Sequence, residues 1–196
     1  MPDEISRLTA SLARSGGSSS DFDLNPGFAP RGKVLRPAAV LVGILAGPQG
    51  ARVILTKRAS HLKHHPGQIA FPGGKQEDSD ASLEAAALRE AQEEIGLPPD
   101  LVRVVGRLPA HETVTGFLMT PILAEVAAFV PNPDAGEVEE VFTVPLAHLL
   151  NPAEYTVQRR QWRGQWRAYY AVPWGPYYIW GATARILRGL AERSAV

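Results

Sequence analysis

The chain has 196 residues, enough for one domain, and 45% of them are hydrophobic, as a folded globular protein requires. Its 20 Lys and Arg cancel 20 Asp and Glu, which removes the basic excess that a long nucleic-acid track would need. With no cysteine, disulfides, zinc–cysteine sites and thiol nucleophiles are excluded. No apolar run is long enough for a membrane helix, and the start Met1-Pro2-Asp3-Glu4 is too polar for a secretory leader. The ending Ser194-Ala195-Val196 is not a peroxisomal address, so the expected location is cytoplasmic.

Residues 3–14 show weak helical periodicity through Ile5, Leu8 and Leu12, and residues 15–20 read as a Gly/Ser linker. Residues 1–33 are therefore expected to form an N-terminal arm, flexible or packed on a partner subunit in a homodimer. The domain is expected over 34–196. Residues 38–45 and 52–58 form apolar runs on either side of a turn at 47–50, the pattern of a buried hairpin. Residues 82–95 make the best helix: Leu83, Ala86, Ala87, Ala91 and Ile95 give an apolar stripe, Ser82 caps it and Gly96 stops it. Strands are expected over 101–108 and 120–130, then a short helix over 145–150. A hairpin over 158–172 turning at Gly164 and a final helix over 182–193 complete the order. This alternation predicts an α/β fold, a mixed sheet with helices on its faces.

The helix carries Arg89-Glu90-Ala91-Gln92-Glu93-Glu94 in its C-terminal half. Glu90 and Glu94 are i,i+4 neighbours, a like-charge pair that costs an isolated helix roughly 0.2–0.5 kcal/mol. Negative charge is further disfavoured near a helix C-terminus. Arg89 reaches Glu93 at i+4 but cannot neutralise three carboxylates. Such a face is commonly just solvated. Here, however, Phe71-Pro72-Gly73-Gly74-Lys75 leads into it, a strand end that lets backbone approach a ligand closely. Glycine-rich backbone beside clustered carboxylates suits a hard divalent cation bridging protein and phosphate oxygens.

Residues 74–97 resemble the Nudix box, Gx5Ex7REUxEExGU with U a bulky aliphatic residue. Arg89, Glu90, Glu93, Glu94, Gly96 and Leu97 fall on its core in order. The loop before Arg89 is one residue longer than the general pattern, and Asp80, six residues after Gly74, stands where the early glutamate would be. Ile54-Leu55-Thr56-Lys57-Arg58-Ala59, Lys63, Gly67 and Phe71-Pro72-Gly73-Gly74 are similar to the signature of the coenzyme A pyrophosphatase branch, with Lys63 where arginine is usual. The likeness runs from about residue 35 to 190.

The resemblance implies a Nudix fold, a mixed sheet sandwiched between helices. It implies metal-dependent hydrolysis of coenzyme A or acyl-coenzyme A to 3′,5′-ADP and (acyl-)4′-phosphopantetheine. In that reading Glu90 and Glu94 hold Mg²⁺ or Mn²⁺, Glu93 is a third ligand or an orienter of water, the carbonyl of Gly73 or Gly74 completes the coordination, and Arg89 steadies the glutamates. Arg58, Lys63, Gly67, Phe71 and Gly74 would bind substrate, so a neutral chain recognises a polyanion through local charge. The expected partner is thus a small nucleotide, with no nucleic acid and no membrane. The alternatives are the same chemistry on ADP-ribose, NADH or a dinucleoside polyphosphate, and a non-catalytic nucleotide-binding domain. The general base is left among Glu93, Glu137, Glu139 and Glu140; for the last three the ordinary reading is a solvated turn. Pro66 argues against a helical metal site at His61 and His65, and His111 is read as a loop residue lining the pocket. Trp162, Trp166, Trp174, Trp180 and the nearby tyrosines read as core or subunit interface, with adenine stacking the alternative.

Overall fold

The computed structural model describes residues 8–10, 12, 17–30, 32, 34–162 and 164–194. Its axis is β2 (Arg36–Leu45), which runs parallel to β8 (Phe117–Val126) along its whole length. The other edge of β2 is shared. β3 (Arg52–Arg58) pairs with it only at Ile44–Val53 and Leu45–Arg52, while β5 (Gly73–Lys75) occupies its first half, Val40 facing Gly73. The expected hairpin therefore forms and then splays, and the gap it leaves is where the glycine strand docks.

β3 turns away to pair with β4 (Ile69–Ala70) and β9 (Val138–Pro145). On the far side, β8 carries β6 (Val102–Arg107) and β7 (His111–Glu112), and β7 pairs with β1 (Ser19–Ser20). β10 (Thr156–Trp162) and β11 (Gln165–Ala171) form a separate two-stranded ribbon. The strand expected over 120–130 runs instead from Phe117 to Val126. The chain leaves the sheet there because Asn132 and Asp134 are drawn back to donate their N–H groups to the carbonyls of Ile95 and Glu94. A helix end buried beside a sheet needs such partners.

Helix α1 (Leu83–Ile95) packs on one face of the sheet through Ala86, Ala87, Ala91 and Ile95, all fully buried against Ala39, Leu41, Ile122 and Ala124. The alanines bring the helix axis close to the strands. Ser82 Oγ accepts from Ala85 N–H, and Gly96, at φ 66°, closes the helix in the left-handed conformation that favours glycine. On the opposite face, α2 (Leu146–Leu149) and α3 (Ala182–Ser194) cover Val42, Val53, Leu55 and Val144 with Leu146, Leu149, Ile186, Leu187 and Leu190. The result is a mixed sheet between helices.

The serine-rich segment read as linker is tied down where it is described. Ser19 and Ser20 form β1, Phe22 is buried, and the Asn25 side chain exchanges two hydrogen bonds with the backbone of Ala168. His111 is fully buried, with Ser19 Oγ at 2.9 Å from Nδ1 and Asp21 Oδ1 at 3.1 Å from Nε2. This corrects its reading as a pocket-lining loop residue: a buried imidazole must pair both nitrogens, and the N-terminal segment supplies both partners. Among the described residues, no helix is long and apolar enough to cross a membrane.

Candidate active site

The glutamates of α1 and the glycines of β5 meet because both pack on the first half of β2. Glu94 lies on the inner side of the helix, 4% exposed, and its Oε2 accepts a 3.1 Å hydrogen bond from Gly73 N–H. Its other oxygen is 4.0 Å from the Arg58 guanidinium. Burial, aided by the charges of Glu90 and Glu137, pushes the Glu94 carboxyl up to about 8, against the opposing pull of Gly73 N–H and Arg58. Glu90 is also raised, chiefly by burial, with Arg89 opposing. A Cβ at Gly74 would lie 2.5 Å from Glu90 Oε1, so this carboxylate occupies the space that any other residue there would fill. Gly73 has φ 151°, and a Cβ on it would meet the Ala39 carbonyl at 2.4 Å. Glycine is required at both positions, for backbone docking at one and for carboxylate placement at the other.

Arg89 is the hub of the outer side. Its Nε and Nη2 form a two-point pair with the Asp80 carboxylate, each at 3.0 Å, and its Nη1 reaches Glu90 at 3.0 Å and Glu93 at 2.9 Å. The Arg89 side-chain bond holds the Asp80 carboxyl below the usual range, and Glu77 N–H adds to it. Asp80, in the loop before the helix, thus fixes the Arg89 guanidinium. Glu93 points outward, 61% exposed, away from the Glu94 carboxylate.

The segment between β3 and β5 runs from Arg58, beside Glu94, to the glycines of β5. Gly67, at φ 67°, donates its N–H to the Arg58 carbonyl, and Arg58 N–H returns one to Gln68. Lys63, His61, His64 and His65 in this turn are exposed. Phe71, expected to touch substrate, is 3% exposed and packs in the core beneath the glycines. Its aromatic ring is a support for the strand rather than a contact surface. The later acidic cluster separates into roles. Glu139 is spent on Lys57 at 2.6 Å and on the hydroxyl of Ser60. Glu140 accepts from Tyr177 Oη at 2.5 Å, while Glu137, exposed, sends its charge toward Glu90 and Glu94. The sequence offered no reason to separate these three.

Among the described residues, no three His, Asp or Glu side chains converge into a closed metal cage. The donor set nonetheless suits a hard divalent cation: two carboxylates on the inner side of one helix, a glycine backbone brought against them, and too little positive charge nearby. Burial raises the Glu94 carboxyl, and a cation held there would favour its charged form. Glu90, Glu94 and the Gly73–Gly74 backbone are the groups that would hold it, with Glu93 at the rim.

A NUDIX domain model matches residues 35–166. The chain is 45% identical over 162 residues to Nudix hydrolase NudL of Salmonella paratyphi B, itself uncharacterized, spanning 82% of this chain and 84% of that protein; the NudL of Salmonella newport gives the same values. Among solved structures, a Nudix hydrolase from M. smegmatis, RenU, superimposes with a TM-score of 0.50 at 26% identity, over 61% of this chain and 82% of its own. A MutT/nudix family protein from Enterococcus faecalis has the same fold at a TM-score of 0.51 and 12% identity, covering 100% of this chain and 75% of its own.

Proposed function

The chain belongs to the Nudix hydrolase family, pyrophosphohydrolases that act on phosphorus-containing anhydrides, and on that premise we propose that it cleaves the pyrophosphate of coenzyme A or acyl-coenzyme A. The products are 3′,5′-ADP and (acyl-)4′-phosphopantetheine. The observation that carries this reading is the unbroken run from Arg58 to Gly74. The spacing of Arg58, Ala59, Lys63, Gly67 and the Phe-Pro-Gly-Gly end matches the coenzyme A branch, and its last glycines lie against Glu90 and Glu94.

In this proposal Glu90, Glu94 and the Gly73 carbonyl hold Mg²⁺ or Mn²⁺. When bound, the ion neutralises the pyrophosphate oxygens and acidifies a water, most of what phosphoryl transfer demands. Arg58 and Lys63 attract and orient the diphosphate, Arg58 from beside the carboxylates and Lys63 from the rim. Arg89, itself fixed by Asp80, keeps Glu90 and Glu93 from collapsing onto the substrate side. Glu137 takes the proton from the attacking water, since Glu139, Glu140 and Glu93 are engaged by Lys57, Tyr177 and Arg89. Oxygen of that water bonds to phosphorus as the bridging P–O bond breaks.

The test is incubation of purified protein with coenzyme A and Mg²⁺ or Mn²⁺, with products identified by mass. Formation of 3′,5′-ADP at a catalytic efficiency well above that for ADP-ribose, NADH and dinucleoside polyphosphates is expected. Absence of cleavage across metals and acyl-chain lengths overturns the coenzyme A assignment.

A further inference from the structure

The β10–β11 ribbon is the least explained part of the molecule. Residues 156–171 carry Arg159, Arg160, Arg163 and Arg167 and no acid, in a chain whose total charge is zero. Every residue of β10 is exposed, so neither of its faces is core. The register puts Arg160 directly opposite Arg167, on one face with Trp162, Gln158 and Tyr169. Like charges facing each other across a strand pair are destabilising. Among the described residues no carboxylate relieves them, and Arg167 Nε is buried without a hydrogen-bond acceptor.

Aromatic rings hold the two guanidiniums in place. Arg167 sits 4.4 Å from the Trp162 ring centre and 4.8 Å from that of Phe28, and Arg160 lies 5.2 Å from that of Trp180. Trp162 remains 38% exposed and Tyr178, hydrogen-bonded to Tyr169 on the same face, 45%. The root of this face adjoins the segment that joins Arg58 to the glycines of β5. Next to Trp180, the Cβ position at Gly181 is 3.8 Å from the Gln68 amide, and Thr183 Oγ1 donates to the Ile69 carbonyl.

We propose that this face binds the phosphorylated adenosine end of the substrate, with a phosphate monoester against the Arg160–Arg167 pair and the base stacked on Trp162. The proposal rests on the coenzyme A reading, because the 3′-phosphate is the group that separates that substrate from ADP-ribose and NADH. A monoester near −2 matches two paired guanidiniums, whereas a diester does not. A second copy of the chain is the wrong occupant: antiparallel pairing of β10 with itself across a two-fold would bring arginines against arginines.

Steady-state kinetics on coenzyme A and 3′-dephospho-coenzyme A test it, beside calorimetric titration of 3′,5′-ADP and 5′-AMP. In the Arg160→Gln/Arg167→Gln variant, KM for coenzyme A should rise about 10-fold or more with kcat unchanged, as expected for lost charge-assisted bonds. KM for the dephospho form should not move, and the preference for 3′,5′-ADP over 5′-AMP should vanish. Arg159→Gln, on the opposite face of the ribbon, should leave all these ratios as they are and shows that the ribbon tolerates loss of an arginine. An unchanged coenzyme A to dephospho-coenzyme A ratio in the double variant overturns the subsite. If the wild type cleaves neither compound, the coenzyme A reading falls; the subsite then stands or falls on whether it prefers 3′,5′-ADP and the double variant does not.

Discussion

The glutamate helix and the arginine ribbon are two places where this neutral chain concentrates one sign of charge, and they are built in opposite ways. On α1 the carboxylates are anchored by the rest of the chain: Glu94 by Gly73, Glu90 and Glu93 by Arg89, and Arg89 by Asp80. The helix itself is fastened to the sheet by fully buried alanines. On the ribbon, Arg160 and Arg167 are steadied by aromatic rings but meet no counter-charge among the described residues. The contrast separates two demands on a polyanion site. A charge that must hold a metal at a fixed distance has to be rigid, which requires burial and a network of partners. A charge that only selects a remote group of the substrate can stay at the surface, where desolvation costs little.

The most severe way to break the rigid half is Glu94→Gln. It keeps the shape and the Gly73 contact but removes the ability to ionise toward a cation. Turnover should fall by about 1,000-fold or more, the scale of a lost metal ligand. The melting temperature should hold or rise, because burial disfavours the charged carboxyl. Turnover within a few-fold of wild type would show that Glu94 is no ligand.

Next come the glycines, where two similar substitutions should fail differently. Gly73→Ala forces a Cβ against the Ala39 carbonyl and Val40 Cα, both backbone, at a strongly positive φ. It should lower stability by about 2–3 kcal/mol, seen as a shift of the melting transition by several degrees. For Gly74→Ala the three atoms nearest the new Cβ all belong to the Glu90 carboxylate, a side chain that can swing away. It should leave melting nearly unchanged and cut turnover roughly 10–100-fold. Equal melting losses in the two variants would contradict the division of roles drawn from their surroundings.

Arg89→Lys tests the hub. Lysine keeps the charge but cannot hold Asp80, Glu90 and Glu93 at once. A loss of about 10–100-fold in activity is expected, with weaker apparent affinity for Mg²⁺ in a metal titration. If activity follows charge alone, lysine will restore it fully and the planar fork is unnecessary.

The helix was readable almost to the residue because its apolar stripe, its serine cap and its glycine stop all specify the same ends. The carboxylate cluster was readable for the same reason: like charges at i,i+4 with one arginine stand out against ordinary helix chemistry. What escaped depends on tertiary placement. The splayed β2–β3 hairpin follows from β5 competing for the edge of β2, a contact no local pattern announces. Asp80 looked like a departure from a motif until the longer loop brought it to Arg89. The burial of Phe71 and His111 was hidden because a single aromatic residue in a turn-rich segment has no periodicity to show which way it faces. Glu137, Glu139 and Glu140 look alike in sequence and differ only in which neighbour the fold brings to each.

The least costly change is at the solvent end of the same helix. Arg107 pairs with Glu84 through two contacts of 2.6 and 2.7 Å, and this hydrogen-bonded partner holds the Glu84 carboxyl at about 2, well below its ordinary 4.5. A carboxyl lowered by folding adds stability above its ordinary value and loses it as the pH falls from about 4.5 toward 2. Arg107 is half exposed, so solvent and salt screen most of that gain. Arg107→Gln should therefore lower the melting temperature at pH 7 by only about 1–2 °C. The difference from wild type should shrink on acidification through that window and in high salt. A constant difference down to pH 2 would mean that packing of the arginine stem, rather than its charge, supports this end of the helix.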